Sequence, residues 1–302
     1  MTGNQRIGFV GLGAMGMGMA RNLLEKGFAV TGYDVRSEAI DRLVEAGGTR
    51  ADSPAAAADG ASVLFLMVVN DRQADDVLFG NGNAAGALPR GATVVLSSTV
   101  PAAYVRALGR RLEEAGLLFL DAPVSGGAIG AERGQLSIIA SGPPAAFDAA
   151  GAALEACSKK VFRLGDEPGI GSTVKAVNQL LAGVNLVTAA EGMAFGTALG
   201  ADPKVLFEII RDAAGGSWMF QDRVPHMLDD DYAPRSAVDI WVKDLGLVLE
   251  TGRQMRMPLP MAAAAYQVVM MAAARGLGPI DDAGFVKVYE EFTGKKVAGE
   301  DK

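Results

Sequence analysis

The chain is predicted to fold as an α/β protein. A Rossmann-type doubly wound parallel sheet comes first, then a second, all-α C-terminal domain, with a long interdomain helix joining the two. Three observations predict this. A glycine turn, Gly11-Leu12-Gly13-Ala14-Met15-Gly16, separates an apolar strand pattern from a helical one near the start. Apolar runs then alternate with helical patterns, the order that builds a parallel sheet with crossover helices. From Gly169 onward the strand signals stop and the remainder reads as helix.

Each glycine of the first turn has its own task. Gly11 permits the tight turn, Gly13 lets the backbone approach a diphosphate closely, and Gly16 lets the following helix pack against the strand. That helix begins near Ala14 and offers unpaired N–H groups and the positive end of its dipole, so an anion binds there without a basic side chain. An acid, Asp34, ends the next strand 18 residues after Gly16. Strand, glycine turn, helix and acid together read as a dinucleotide site formed by Gly11 to Gly16 and Asp34. A carboxylate pairs well with two ribose hydroxyls and repels a 2′-phosphate, which favours NAD over NADP. Arg36, two residues on, reads either as a phosphate contact or as a solvated arginine at a helix start.

Further along, the apolar runs Val63–Val69, Thr93–Leu96, Leu117–Ala122 and Leu136–Ala140 read as strands of the same sheet. Ala102–Ala115 and Pro144–Ala156 read as crossover helices. The first domain is therefore expected to span residues 1–165, and the all-α domain residues 166–302. Ser172–Leu199 reads as one long helix, apolar over most of its circumference, and Gly200-Ala201-Asp202-Pro203 as a break with Asp202 as N-cap and Pro203 at the first helical position. The uncharged run Met257–Ala274 contains Pro258, Pro260, Tyr266 and Gln267 and is rich in alanine, so it is expected to be a buried helix rather than a membrane span.

Composition narrows the function. With 302 residues and half of them apolar, the chain can bury a sizeable core, and two domains fit that length. A formal charge of −7 and a pI near 4.9 leave no broad basic surface, which argues against nucleic acid or an anionic membrane as partner and for a small molecule. One cysteine, Cys157, rules out an internal disulfide and suits a reducing compartment, and its neighbours give no sign of an activated thiol, so a half-buried helix residue is expected. One cysteine and one histidine, His226, cannot assemble a His/Cys zinc centre, and no metal is expected. The N-terminus runs straight into the first strand without a signal-like segment, which is read as a cytoplasmic location.

The long helix carries the polar residues of interest. Lys175, Asn178, Ala182 and Asn185 recur at offsets of three and four and share one face, while Val174, Val177, Leu181 and Val184 point elsewhere. A surface helix carries more charge than this one, so the polar stripe is expected to face a cleft rather than solvent. Oxidation of an alcohol by hydride transfer needs a group to take the hydroxyl proton, and a lysine partly stripped of water suits that task, with Asn178 one turn on to hold its nitrogen or the substrate oxygen. His226, beside Pro225 and an acidic loop at Asp229–Asp231, reads as a helix-end or loop histidine.

Other segments leave the reading open. Asp121-Ala122-Pro123-Val124-Ser125-Gly126-Gly127 is either an anion-binding loop or an ordinary strand exit. Ser97-Ser98-Thr99-Val100-Pro101, at another strand end, has hydroxyls that could line a cofactor. Lys243-Asp244 is a charged pair inside an apolar helix, of undecided role.

Taken in order, G-L-G-A-M-G, D-A-P-V-S-G-G, G-S-T-V-K-A-V-N-Q-L-L and V-K-D-L-G-L make the chain resemble the β-hydroxyacid dehydrogenase family, from Ile7 to about Phe292. The resemblance implies NAD-dependent oxidation of a small hydroxy acid. It further implies Lys175 as catalytic lysine with Asn178 as its helper, Ser125, Gly126 and Gly127 as a substrate-carboxylate loop, and cofactor contacts from Thr99 and Lys243; Val68 and Val69, after the fourth strand, are expected to contact the cofactor as well. A homo-oligomer is expected, on the apolar C-terminal helices. V-V-N-D-R-Q, G-G-S-W-M-F and the Arg235–Leu249 segment are most similar to the L-threonate dehydrogenase branch, with Trp218, Phe220 and Arg223 as candidates to shape a pocket for a longer polyhydroxy acid. Relatives acting on 3-hydroxyisobutyrate or tartronate semialdehyde share the same machinery. An imine reductase or a non-catalytic relative would keep the glycine turn and lose the lysine.

Overall fold

Strand β1 (Arg6–Val10) enters the glycine turn, α1 (Ala14–Glu25) leaves it, and β2 (Ala29–Tyr33) lies beside β1. The computed structural model describes residues 5–298. The chain divides into two compact units, Met1–Lys175 and Ala176–Lys302. The first continues with α2 (Ser37–Glu45), β3 (Thr49–Arg50), α3 (Pro54–Ala58), β4 (Val63–Leu66), α4 (Asp71–Leu78), α5 (Ala84–Ala87), β5 (Thr93–Leu96), α6 (Ala102–Glu114) and β6 (Leu118–Asp121). These six strands form one parallel sheet in the order β3-β2-β1-β4-β5-β6, as predicted for a doubly wound fold. The residues of β4 and β5, V-L-F-L and T-V-V-L, are all buried, as befits strands covered on both faces. Phe9 of β1 stacks on Phe65 of β4 with ring centres 5.6 Å apart. Side-chain caps start the shorter helices: the Ser53 hydroxyl accepts from Ala56 N–H, and the Asn70 amide oxygen from Gln73 N–H.

One expectation is corrected here. Leu136–Ala140 is a strand, but not of the main sheet. After β6 come β7 (Val124–Ser125), α7 (Gly127–Glu132), β8 (Leu136–Ala140), α8 (Pro144–Ala156) and β9 (Ser158–Arg163), and β7-β8-β9 form a separate three-stranded sheet. Too few residues separate β7 from β8 for a crossover, so the pair is antiparallel. β9, S-K-K-V-F-R, escapes sequence reading because it is a charged edge strand with no buried face.

Helix α9 (Ile170–Ala198) runs through the unit boundary. The second unit continues with α10 (Pro203–Ile210), α11 (Trp218–Leu228), α12 (Val238–Met255), α13 (Pro260–Ala274), a 3₁₀ turn at Asp282–Phe285 and α14 (Val286–Thr293). Asp202 caps α10 as expected, its carboxylate accepting from Lys204 and Val205 N–H. The run from Met257 is shorter and less buried than expected. Arg256 ends α12 in the left-handed region, Pro258 and Pro260 keep the residues before them out of the helix, and α13 begins only at Pro260. Ala262, Ala265, Val269 and Ala272 are its buried residues, whereas Met261, Met270 and Met271 are exposed, so α13 is half-buried.

Candidate active site

Strand register brings the motifs of the first unit to one edge. Val10 pairs with Tyr33 and with Leu66, Leu66 with Leu96, and Leu96 with Asp121. These residues form a row at the carboxyl ends of the strands, so Gly11, Asp34, Met67–Val69, Ser97–Thr99 and the 122–127 loop all leave the sheet on the same side. The edge is tied together there: Gly11 N–H donates to Tyr33 O and Met67 N–H to Val10 O, both at 2.9 Å.

The three glycines behave differently, as their spacing suggests. Gly11 has φ +96, and a Cβ on it would lie 2.3 Å from the Met67 carbonyl oxygen. At Gly16 a Cβ would lie 1.9 Å from the Gly11 carbonyl oxygen. Gly13 is open instead: a Cβ there would meet only the Arg36 guanidinium, at 3.8 Å. Two glycines thus fix the turn, and the middle one leaves free space above it. Sequence reading missed a fourth, Gly18, where a Cβ would press on the Ala131 and Glu132 backbone and so separate α1 from α7.

Asp34 is buried, and its carboxylate accepts from Leu12 N–H at 2.7 Å and from Arg36 N–H and Nε at 3.0 Å. Burial raises its pKa, but the hydrogen bonds from Arg36 and Leu12 outweigh burial and hold it below the ordinary aspartate value. Arg36 is therefore not merely solvated. It is paired with Asp34 and lies over the glycine turn.

Val68 and Val69 follow β4. Val68 N–H donates to the Ser98 hydroxyl at 2.9 Å, and Val69 is exposed. Ser97 and Ser98 are buried, and Thr99 is half-buried. In the 121–127 loop, Ser125 pairs with Ser137 across β7 and β8, and Gly126 and Gly127 both have positive φ, +127 and +64. Asp121 is the residue of this motif that sequence reading left without a role. It has no exposure, and its carboxylate accepts from Gly169 N–H, Ser172 N–H, the Ser172 hydroxyl and the Ser141 hydroxyl. Burial pushes its carboxyl above the ordinary range, opposed by these hydrogen bonds.

On α9 the amphipathic pattern is inverted. Lys175 is 7% exposed, while Val174, Val177 and Leu181 are 41%, 57% and 55% exposed. At the start of α9 the lysine is covered and these apolar residues are open, while Asn178, Ala182 and Asn185 are half-buried. Asn178, half-buried, donates to the Gln179 side-chain oxygen at 3.0 Å. Gln179 in turn donates to Asp244, and the Lys243 ammonium lies 2.8 Å from the other Asp244 oxygen. Asn178 and Lys243, named separately by sequence, thus belong to one chain of polar contacts completed by Gln179 and Asp244. Their sole sequence signal is a buried amide and a buried acid on otherwise apolar helices.

One further residue, Cys157, differs from expectation. Cys157 is fully buried at the C-cap of α8, its thiol pushed up to about 12 by burial, and is inert. Phe220 is buried and stacks on Phe207. Arg223 is buried, donates to Asp282 at 2.6 Å and pairs with Asp222. Trp218, at the start of α11, is exposed, and His226 lies in the last turn of the same helix with Nδ1 3.1 Å from Asp281. Among the described residues no cluster of acids, histidines and cysteines could hold a metal ion.

Comparison with known proteins shows the family of the chain. Residues 6–165 match the family of the NAD-binding domain of 6-phosphogluconate dehydrogenase, and residues 169–289 match the NAD-binding family of NADP-dependent 3-hydroxyisobutyrate dehydrogenase. L-threonate dehydrogenase of Cupriavidus necator is 49% identical over 97% of this chain and 99% of its own length. The chain belongs to the 3-hydroxyisobutyrate dehydrogenase-like family. It is an NAD-dependent oxidoreductase. L-threonate dehydrogenase of Escherichia coli K12 is 42% identical, covering 97% of each chain. A crystal structure described as 3-hydroxyisobutyrate dehydrogenase, from Salmonella typhimurium, superimposes with a TM-score of 0.88 at 42% identity over 94% of this chain and 99% of that one. The residues present fit the dinucleotide this family uses. Gly13 has open space where a diphosphate would approach, α1 begins immediately after it, and Asp34 is an ionised acceptor at the end of β2.

Proposed function

We propose that the protein oxidises L-threonate, a four-carbon sugar acid, to 2-dehydro-L-erythronate. The inverted face of α9 carries the chemistry: a lysine that the fold covers while leaving valines and leucine exposed is there for a purpose other than solubility. Near-full-length identity of 40–49% to L-threonate dehydrogenases carries the substrate. NAD⁺, when bound, supplies the hydride acceptor. Lys175 takes the proton of the hydroxyl group as the carbon is oxidised, Asn178 orients that oxygen, and Ser125, Gly126 and Gly127 hold the substrate carboxylate. Gly11, Leu12, Gly13, Ala14, Met15 and Gly16 hold the diphosphate, Asp34 the ribose, and Val68, Val69, Thr99 and Lys243 line the remainder of the dinucleotide. In this reading residues 1–165 are the NAD-binding domain and residues 166–302 the substrate and oligomerisation domain.

A second reading, 3-hydroxyisobutyrate as substrate, is favoured by the description of the 42%-identical crystal structure. The test is NADH formation with four-carbon aldonic acids against 3-hydroxyisobutyrate and glycerate, each with NAD⁺ and NADP⁺. Preference for L-threonate with NAD⁺, and a product oxidised at C2 by mass spectrometry, is the expected result. Faster turnover of 3-hydroxyisobutyrate overturns the substrate, and silence with every hydroxy acid overturns the class. A second copy of the chain is read as covering the apolar residues that α9 and α10 expose, among them Val177, Leu181, Phe195 and Ile209. Sedimentation as a monomer would remove that part, and fractionation tests the cytoplasmic location that goes with it.

A further inference from the structure

We propose that Asp121 is a positioning residue for the reaction: it sets where Lys175 stands relative to the substrate-carboxylate loop. The proposal rests on the reading of Lys175 as the proton acceptor. It concerns a residue to which the proposed function gives no part.

Asp121 closes β6, and its main chain and side chain hold different things. Through the main chain it pairs with Ser141 at the exit of β8, Asp121 N–H donating to Ser141 O at 3.0 Å and Ser141 N–H to Asp121 O at 2.8 Å. That bridge lies at the root of the β7–β8 pair, where Val124 faces Ile138 and Ser125 faces Ser137. The main chain of Asp121 therefore fixes the base of the loop carrying Ser125, Gly126 and Gly127. Its carboxylate fixes the start of α9. One oxygen accepts from Gly169 N–H at 2.9 Å and Ser172 N–H at 2.8 Å, and the other from the Ser172 hydroxyl at 2.6 Å.

The Ser141 hydroxyl completes the circuit by donating to Asp121 at 3.3 Å and accepting from Gly171 N–H at 3.1 Å. The first turn of a helix has N–H groups with no partner in the helix itself. Here Asp121 and Ser141 supply partners for Gly171 and Ser172 from neighbouring strands. Gly171 allows the contact, since a Cβ on it would lie 2.5 Å from the Ile139 carbonyl oxygen and 2.9 Å from that of Asp121. Lys175 lies three residues beyond Ser172, one turn up the same helix, with its stem on the buried side. Loop and lysine thus hang from one residue, and a shift at the root moves one against the other. A misplacement of about 1 Å at a reacting group costs up to about a hundredfold in rate.

The test compares wild type with Asp121→Asn, which keeps the shape and removes the charge. Expected are faster amide exchange in residues 169–175, a fall in kcat of about tenfold or more, and an unchanged NADH dissociation constant. Wild-type kcat overturns the proposal, as does unaltered exchange at 169–175. A parallel loss of kcat, NADH affinity and melting temperature also overturns it, because that pattern belongs to a residue needed only for folding. If Asp121→Asn does not fold, Ser172→Ala removes one arm of the network and is held to the same three criteria with a smaller fall in kcat. Lys175→Ala is run alongside. Wild-type turnover in that variant sinks the reading of Lys175, while exchange at 169–175 still reports on what Asp121 anchors.

Discussion

Asp121 in the first unit and Asp282 in the second are both buried without exposure, yet they are held in opposite ways. Two backbone N–H groups and two hydroxyls bind Asp121. Asp282 accepts from the Arg223 guanidinium at 2.6 Å and the Trp241 indole N–H at 2.7 Å. Burial pushes its carboxyl up, against Arg223 and Trp241. In the first case charge is spent on fixing a backbone, in the second on joining α11, α12 and the 3₁₀ turn. The difference teaches where function is to be sought. Asp121 and Asp34, both held by backbone donors, lie at strand ends among the site segments, whereas the Arg223–Asp282 pair is part of the second unit's interior.

The comparison is sharpened most by Lys175→Ala, the largest effect expected. Loss of a general base lowers turnover by about 10²–10⁴-fold, and the glycine turn, which the change does not touch, keeps NADH affinity near wild type. Steady-state kinetics together with NADH titration check both halves. Retained turnover would mean that the covered lysine is a structural group like Arg223, and the contrast between the two units would lose its functional meaning.

Arg223→Met comes next and should act on stability alone. It leaves the Asp282 carboxylate buried without its cation, which costs about 3–5 kcal/mol. For a chain of this size that corresponds to a fall in melting temperature on the order of 10 °C. At temperatures where the variant is folded, kcat and KM should stay near wild type. A variant that melts like wild type but has lost affinity for the hydroxy acid would break the comparison, since Arg223 would then be a pocket residue after all.

The same contrast explains how much was legible in the sequence. Gly11 and Gly16 are readable because a backbone requirement at a turn can be met by glycine alone, and the strands Thr93–Leu96 and Leu136–Ala140 because nearly all their residues are buried and mostly apolar. The sheet to which Leu136–Ala140 belongs was not readable, because partner choice depends on the length and path of the connection, not on the strand itself. Lys175 and Asn178 stand out by periodicity. Gln179 and Asp244 do not, since their pairing joins residues 65 apart, and neither does Arg223 with Asp282, 59 apart. A charge among apolar residues signals only that some partner is needed. The exposed strand Ser158–Arg163 carries no apolar face and hence no pattern to read.

The smallest effect tests the first unit on its own terms, by separating the glycine that shapes the turn from the one that leaves room for a ligand. Gly16→Ala forces a Cβ to within 1.9 Å of the Gly11 carbonyl oxygen, so the turn or α1 must shift, and stability should fall by about 1–3 kcal/mol. Gly13→Ala meets nothing nearer than the Arg36 guanidinium at 3.8 Å, and the φ of −68 at Gly13 suits alanine, so its melting temperature should match wild type. The added methyl group instead occupies the space through which a diphosphate approaches the backbone, and NADH affinity should drop about tenfold, equivalent to about 1.4 kcal/mol. Thermal melts and NADH titration of the two variants separate these outcomes. Unchanged NADH affinity in Gly13→Ala would mean that the open space above the turn is not where the diphosphate lies.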